Sequence, residues 1–231
     1  MKKLQLILAL FFLLTPAFAQ SIPDDHQEIF AENFSDLLTL TTKPDSTDEN
    51  MLAACDKLLQ FTKDYPDSKF AKDAQYLGKF ILFTGALMAQ DKDKASKLMK
   101  DMEGVVRLYP DASLDEFTCE KWKEILGEKS SRAIYIPFKF ILPYMRGLMG
   151  FEFKDYAAAI SNFSFLKDSL DFKKDNAGIL AEEIYLPLVL SYQLTNDPGK
   201  FKEVAQEAIE RFPDTHLGQS MQRVLEKNKA Q

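Results

Sequence analysis

Two histidines, His26 and His216, are the side chains that titrate nearest neutrality, and they stand at opposite ends of the chain. A histidine base or metal ligand is signalled by partners at set spacings. No HExxH, CxxC, G-x-S-x-G or phosphate-loop pattern occurs. The pairs Asp24-Asp25 and Glu182-Glu183 have the chemistry of general acids or metal ligands. Solvated helix starts are the commoner explanation, because the macrodipole favours negative charge in the first turn. We adopt the second reading, and expect no catalytic residue, no metal and no cofactor. Lys139 and Arg146 are seven apart, so they share a helix face with Leu142 between them. They are candidates for holding a partner's carboxylate or phosphate. The competing reading has them snorkelling from an apolar helix or pairing with acids on its neighbour.

The elements that carry these groups read as helices. Ile29, Phe30, Phe34, Leu37 and Leu38 fall on one face of residues 26–40. A loop with Pro44 follows, and Asp48 is placed to cap a helix over 49–64 with Leu52, Ala54, Cys55, Leu58, Leu59 and Phe61 inward. Ser68 is placed to cap a third helix with the stripe Phe70, Ala74, Leu77, Ile81 and Met88. Gly78 and Gly85 within it cost about 1 kcal/mol each relative to alanine, which implies a closely approaching neighbour. After Asp91 to Asp93 comes a fourth helix with Ala95, Leu98, Met102, Val105 and Val106. A fifth spans 114–126, with Phe117, Trp122 and Ile125 inward and Gly127 as C-cap. Residues 133–153 are almost continuously apolar and read as the most buried helix, with its start at Pro137 and a kink at Pro143. Further helices are expected at 156–170, 177–194, 198–211 and 215–227.

Residues 1–19 have the build of a secretory signal peptide: Lys2 and Lys3, the apolar run Leu4 to Leu14, then Ala17-Phe18-Ala19 for cleavage. An apolar core of about 11 residues is too short to span a bilayer, which takes roughly 20. A periplasmic location is expected, with secretion as the other destination and no transmembrane segment after cleavage. Residues 20–25 are expected to be a disordered N-terminus and 26–231 the folded domain. Removing 19 of the 231 residues takes away two lysines and moves the net charge from −6 to −8. An acidic chain without a basic stripe argues against nucleic acid and anionic membranes as partners. Nineteen Phe against nine Gly suit helices packed on aromatic ridges. Export permits a disulfide between Cys55 and Cys119. Two helices separate theirs, however, and bridging needs Cα atoms within about 7 Å, so two buried thiols are expected.

The tripeptide Tyr65-Pro66-Asp67 returns as Tyr109-Pro110-Asp111 and, with Phe for Tyr, as Phe212-Pro213-Asp214. Twelve, eight and five residues before these prolines stand Ala54, Leu58 and Phe61; Leu98, Met102 and Val105; Phe201, Ala205 and Ala208. All are apolar. Tyr156, Ala159, Phe163 and Leu166 repeat the spacing without a proline. A helical array broken once per repeat by proline has this signature.

The pattern resembles the tetratricopeptide repeat (TPR) family, a unit of about 34 residues whose second helix ends in proline. Tyr185, Leu188, Val189, Tyr192, Phe201, Ala205, Ala208 and Pro213 carry the best match, and Gly147, Tyr156, Ala159 and Phe163 a second. Residues 65–78 look like the variant found in outer-membrane barrel-assembly lipoproteins and in periplasmic partners of the Tol–Pal system. Gln20 stands where those lipoproteins carry a lipid-bearing cysteine. Pro110 and Pro213 lie 103 apart, close to three such units.

The resemblance implies an all-α, right-handed α-solenoid of about four TPR-like helical hairpins, with the first helix of each lining a concave surface. With Gly147 as the small residue of such a helix, Tyr144, Leu148 and Phe151 face that surface, as do Leu186, Leu190 and Gln193 on the next. An apolar, aromatic groove suits an amphipathic helix or an extended peptide. The competing reading makes these residues core. The expected function is a non-catalytic exported scaffold that binds a protein or peptide, in cell-envelope assembly. The alternatives are a binding module for an apolar ligand or polysaccharide, and an enzyme with an unfamiliar site. Asn33-Phe34-Ser35 and Asn162-Phe163-Ser164 match the glycosylation pattern by chance, because each central Phe belongs to a buried face.

Overall fold

A computed structural model describes residues 26–42, 48–126, 136–172 and 177–229. The expected signal peptide, the segment 20–25, Asp24-Asp25, Pro44 and Gly127 lie outside the described residues. Ten helices and no strand are found among those described. They are α1 (Gln27–Thr42), α2 (Asp48–Asp64), α3 (Ala71–Met88), α4 (Lys92–Leu108), α5 (Glu116–Leu126), α6 (Phe138–Glu152), α7 (Tyr156–Ser169), α8 (Ala177–Leu194), α9 (Pro198–Arg211) and α10 (His216–Lys229). None is long and apolar enough to cross a membrane.

Successive helices pack on one another from α1 to α4 and again from α6 to α10. The architecture is an all-α, α-solenoid-like repeat of four hairpins, α1–α2, α3–α4, α6–α7 and α8–α9, closed by α10. The nine apolar positions that precede the three prolines are all buried, from 0% to 9% exposed. They form the ridge that each second helix presents to its neighbours.

The turns repeat with the helices. In each Tyr/Phe-Pro-Asp turn the aromatic N–H donates to the carbonyl four residues back: Tyr65 to Phe61, Tyr109 to Val105 and Phe212 to Ala208. The aromatic carbonyl then accepts from the residue three ahead, which is Ser68, Ala112 or Thr215. Proline removes one donor, and this pair of bonds closes the helix end around it. The turns inside the hairpins are equally uniform. Gln90, Lys154 and Asn196 have φ of 56°, 62° and 59°. Each precedes an aspartate, Asp91, Asp155 or Asp197, whose carboxylate accepts from the N–H three residues on and caps the next helix. Ser68, expected as a cap, instead accepts from Phe70 N–H at 3.3 Å, and Phe70 is the N-cap of α3. Pro137 is the N-cap of α6, where its start was placed.

The first helices of the hairpins form one row. Tyr76 of α3 stacks on Phe138 of α6 with centroids 4.5 Å apart, α6 touches α8, and α8 touches α10. Of the second helices, α7 and α9 are joined by the pair of Lys167 with Glu207 at 2.9 Å. The row of first helices is called the inner row below and that of second helices the outer row. Glycines permit the closest approaches. A Cβ on Gly147 would lie 2.9 Å from the Phe163 ring, and one on Gly150 2.6 Å from Ala159 N. Gly78 meets Leu59 of α2 at 3.0 Å, as its cost in the helix implied, but Gly85 faces open space. Six residues of α6 are buried against ten of α3, so α3 is the more enclosed of the two. Helices α2 and α4 pack along it, α6 reaches it through Phe138 and Tyr144, and Phe30 of α1 stacks on its N-cap Phe70.

Helix α5 does not belong to the stack. Between Pro110 and Pro213 lie two hairpins and this extra helix, not three equal units. The chain leaves the ribbon after Ala112 and returns at Phe138, whose N–H donates to Ala112 O at 3.0 Å. During the excursion α5 folds back onto α1.

Candidate functional site

The inner row carries the residues expected to line a groove. Tyr144 of α6 is only 2% exposed. Its ring lies 6.2 Å from that of Phe80 on α3 and 6.4 Å from that of Phe163 on α7. Its hydroxyl donates to Glu183 Oε2 on α8 at 2.8 Å. Tyr144 therefore braces three hairpins and offers a partner no surface, which corrects its expected place in the groove. The physical reason is the closeness of the inner row: a long ring meets the next helix before it meets solvent.

Leu148, Leu186 and Leu190 are half-buried and Gln193 is exposed. Phe151 is also half-buried, but it meets Tyr156 edge-on at 6.3 Å and spans the α6–α7 turn. Leu148 on α6 and Leu186 and Leu190 on α8 thus keep part of their surface, and Gln193 stands near the C-terminal end of α8. The two glutamates of α8 are held by pairs to other helices. Glu183 takes Tyr144, and Glu182 meets His216 Nδ1 of α10 at 3.1 Å.

The structure does not place Lys139 and Arg146 on that wall. Both are exposed. Arg146 pairs with Glu103 of α4 at 3.1 Å, and Lys139 lies 5.3 Å over the Phe140 ring. An exposed pair of this kind contributes at most about 1 kcal/mol. Arg146 instead lines a cleft of about 190 Å³ between α4, α6 and α7, with Lys92, Met99 and Phe153.

The remaining reactive groups are inert or separate. Cys55 and Cys119 are both free thiols. Burial, helped by Asp56, pushes Cys55 up to about 12. Burial, then Asp73, pushes Cys119 up to about 11. Neither is a thiolate at neutral pH, so neither is an activated nucleophile. The His26 ring lies tilted against that of Tyr65 with centroids 4.2 Å apart, at the other end of the ribbon from His216. No group of three or more His, Cys, Asp or Glu side chains suited to a metal occurs among the described residues.

Two carboxylates that sequence reasoning passed over tie helices together. Asp73, in the first turn of α3, is 0% exposed. It accepts from Thr118 Oγ1 at 2.6 Å and from Asp115 N–H at 2.8 Å, both in the excursion, and pairs with Lys72. Burial raises its carboxyl above the usual aspartate range, and Lys72, Thr118 and the Asp115 amide pull it only part of the way back. The signal in the sequence was an aspartate beside the buried stripe Phe70, Ala74 and Leu77. Glu207 of α9 takes Lys167 Nζ of α7 at 2.9 Å, the Tyr185 hydroxyl of α8 at 2.8 Å and Arg211 at 3.0 Å. Burial pushes its carboxyl up, but the bonds from Lys167, Tyr185 and Arg211 outweigh it and hold Glu207 below the ordinary glutamate range. Comparison of the chain with protein-family models, with curated proteins and with solved structures finds no match in any of the three.

Proposed function

We propose that this protein is a non-catalytic scaffold that binds a protein or peptide along its inner row, exported through residues 1–19 and acting in the assembly of the cell envelope. The observation that carries the reading is that Leu148, Leu186 and Leu190, on first helices, stay half-buried while Tyr144 and Tyr185 of the same helices are core. Leucines at helical spacing fit the apolar anchors of an amphipathic helix or extended peptide. The resemblance of the proline-punctuated ridges to TPR units supports the same reading, since that fold recognises partners on its concave side. An acidic chain of this composition favours a protein partner over nucleic acid.

The test is site-specific photo-crosslinking in cells. A photo-reactive residue at Leu190 or Gln193 captures a protein of one discrete mass, while the same residue at exposed Lys100 on α4 does not. Identical capture patterns from both faces overturn the proposal. N-terminal sequencing of the mature protein is expected to begin at Gln20; retention of Lys2 and Lys3 overturns the export assignment.

A further inference from the structure

The excursion between Ala112 and Phe138 does to the first two hairpins what a bound helix would do. Its stem is closed by the Phe138 N–H bond to Ala112 O, and the Tyr109 turn is complete before it begins. The repeat therefore continues from α4 to α6 without it, and those two helices pack directly. Helix α5 lies against α1 and the first turn of α3, both of the inner row. Trp122 meets Phe34 with centroids 6.0 Å apart, and Phe117 meets Phe70 at 5.5 Å. Asp73 stands between them, fully buried, and takes its hydrogen bonds from the excursion: Thr118 Oγ1 and the Asp115 amide. Lys72 reaches out to Ser113 O at 3.1 Å. The ribbon thus supplies a buried acceptor and two aromatic seats, and a short helix supplies the donors and the rings.

We propose that the inner face of α1 and α3 is a helix-docking surface which α5 occupies in cis, and that an amphipathic helix of a partner exchanges with it. The occupant it selects carries an aromatic residue, a hydroxyl on the next residue and a second aromatic about one turn further on, as Phe117, Thr118 and Trp122 do. The buried carboxylate sets the hydroxyl, because Lys72 holds only Oδ1 of Asp73 and a partner without a donor leaves the buried Oδ2 unsatisfied. Acidic side chains are excluded from that position for the same reason. This deepens the inner-row reading by naming the kind of partner the N-terminal half takes. It rests on that reading only for the partner, because exchange of α5 itself needs none.

Trp122 is the single tryptophan of the chain and reports docking directly. The experiment uses the full mature protein and its Thr118→Val variant. Hydrogen–deuterium exchange, Trp122 emission and binding of a fluorescein-labelled peptide of residues 114–126 are measured on each. Expected in the wild type is exchange of α5 amides at least tenfold faster than those of α3 and α6. Thr118→Val increases that ratio a further tenfold, shifts Trp122 emission to the red and tightens peptide binding at least tenfold. A peptide carrying the same Thr118→Val change binds at least tenfold more weakly. Where circular dichroism shows the variant unfolded, Phe117→Ala replaces it. Exchange of α5 no faster than the core, or peptide affinity unmoved by either chain variant, overturns the proposal. Crosslinking at Leu190 reads the other half of the ribbon, so the two proposals fail separately.

Discussion

The two halves of the ribbon treat their inner face in opposite ways. In the N-terminal half it is covered: α5 lies on α1, and Asp73 is sealed beneath it. In the C-terminal half α6, α8 and α10 leave Leu148, Leu186 and Leu190 partly exposed, and the organising carboxylate, Glu207, is on the outer row with 30% of its side chain accessible. Each carboxylate accepts several hydrogen bonds, yet their protonation equilibria move in opposite directions. Complete burial dominates at Asp73, whereas Lys167, Tyr185 and Arg211 dominate at Glu207. What differs is access to water more than the number of partners.

Substitutions can break this comparison, starting with the tightest contact. Gly150→Ala drives a Cβ to within 2.6 Å of a backbone nitrogen of α7, which cannot move independently. Loss of about 3 kcal/mol or more is expected, read as a fall in the urea midpoint. Asp73→Ala strands the Thr118 hydroxyl and the Asp115 amide, and about 2–3 kcal/mol is expected to go, with Trp122 emission moving to the red. Glu207→Gln keeps the shape but removes the charge facing Lys167 and Arg211; about 1–2 kcal/mol is expected, without a change at Trp122. Trp122 moving equally in both variants would show that the halves are not independent.

Acid sharpens the contrast. Glu207 titrates below its unfolded value, so its contribution is present above the ordinary glutamate range and is lost as pH falls through the lowered folded value. Asp73 titrates above its unfolded value, so its contribution is full below the ordinary aspartate range and is lost as pH rises through the raised folded value. Denaturation series from pH 7 to 3 are expected to show wild type gaining on Asp73→Asn as pH falls, and losing its advantage over Glu207→Gln. The smallest change is Gly85→Ala. Its Cβ meets open space within a helix, so a gain of about 0.5–1 kcal/mol is expected in the same midpoint assay.

Much of the fold was legible along the chain. Apolar periodicity located the helices, and the ridge before each proline picked out nine positions that are all buried. The uniform Gln90, Lys154 and Asn196 turns escaped notice, because a left-handed residue that is not glycine has no strong signature in the sequence. The excursion escaped because α5 has the same apolar spacing as any stacked helix. Which neighbour receives that face depends on contacts distant in sequence. Of the residues expected on the wall, Leu148, Leu186 and Leu190 keep exposed surface, while Tyr144 is spent on the core.

Periodicity and proline placement alone determined the helical repeat, since local backbone preference and burial of one face act within a few turns. The tertiary structure alone decided which side of each helix meets water, where α5 folds back, and which carboxylate is sealed. These depend on packing between segments tens of residues apart, where burial sets the cost of a charge and the reach of a ring decides between groove and core.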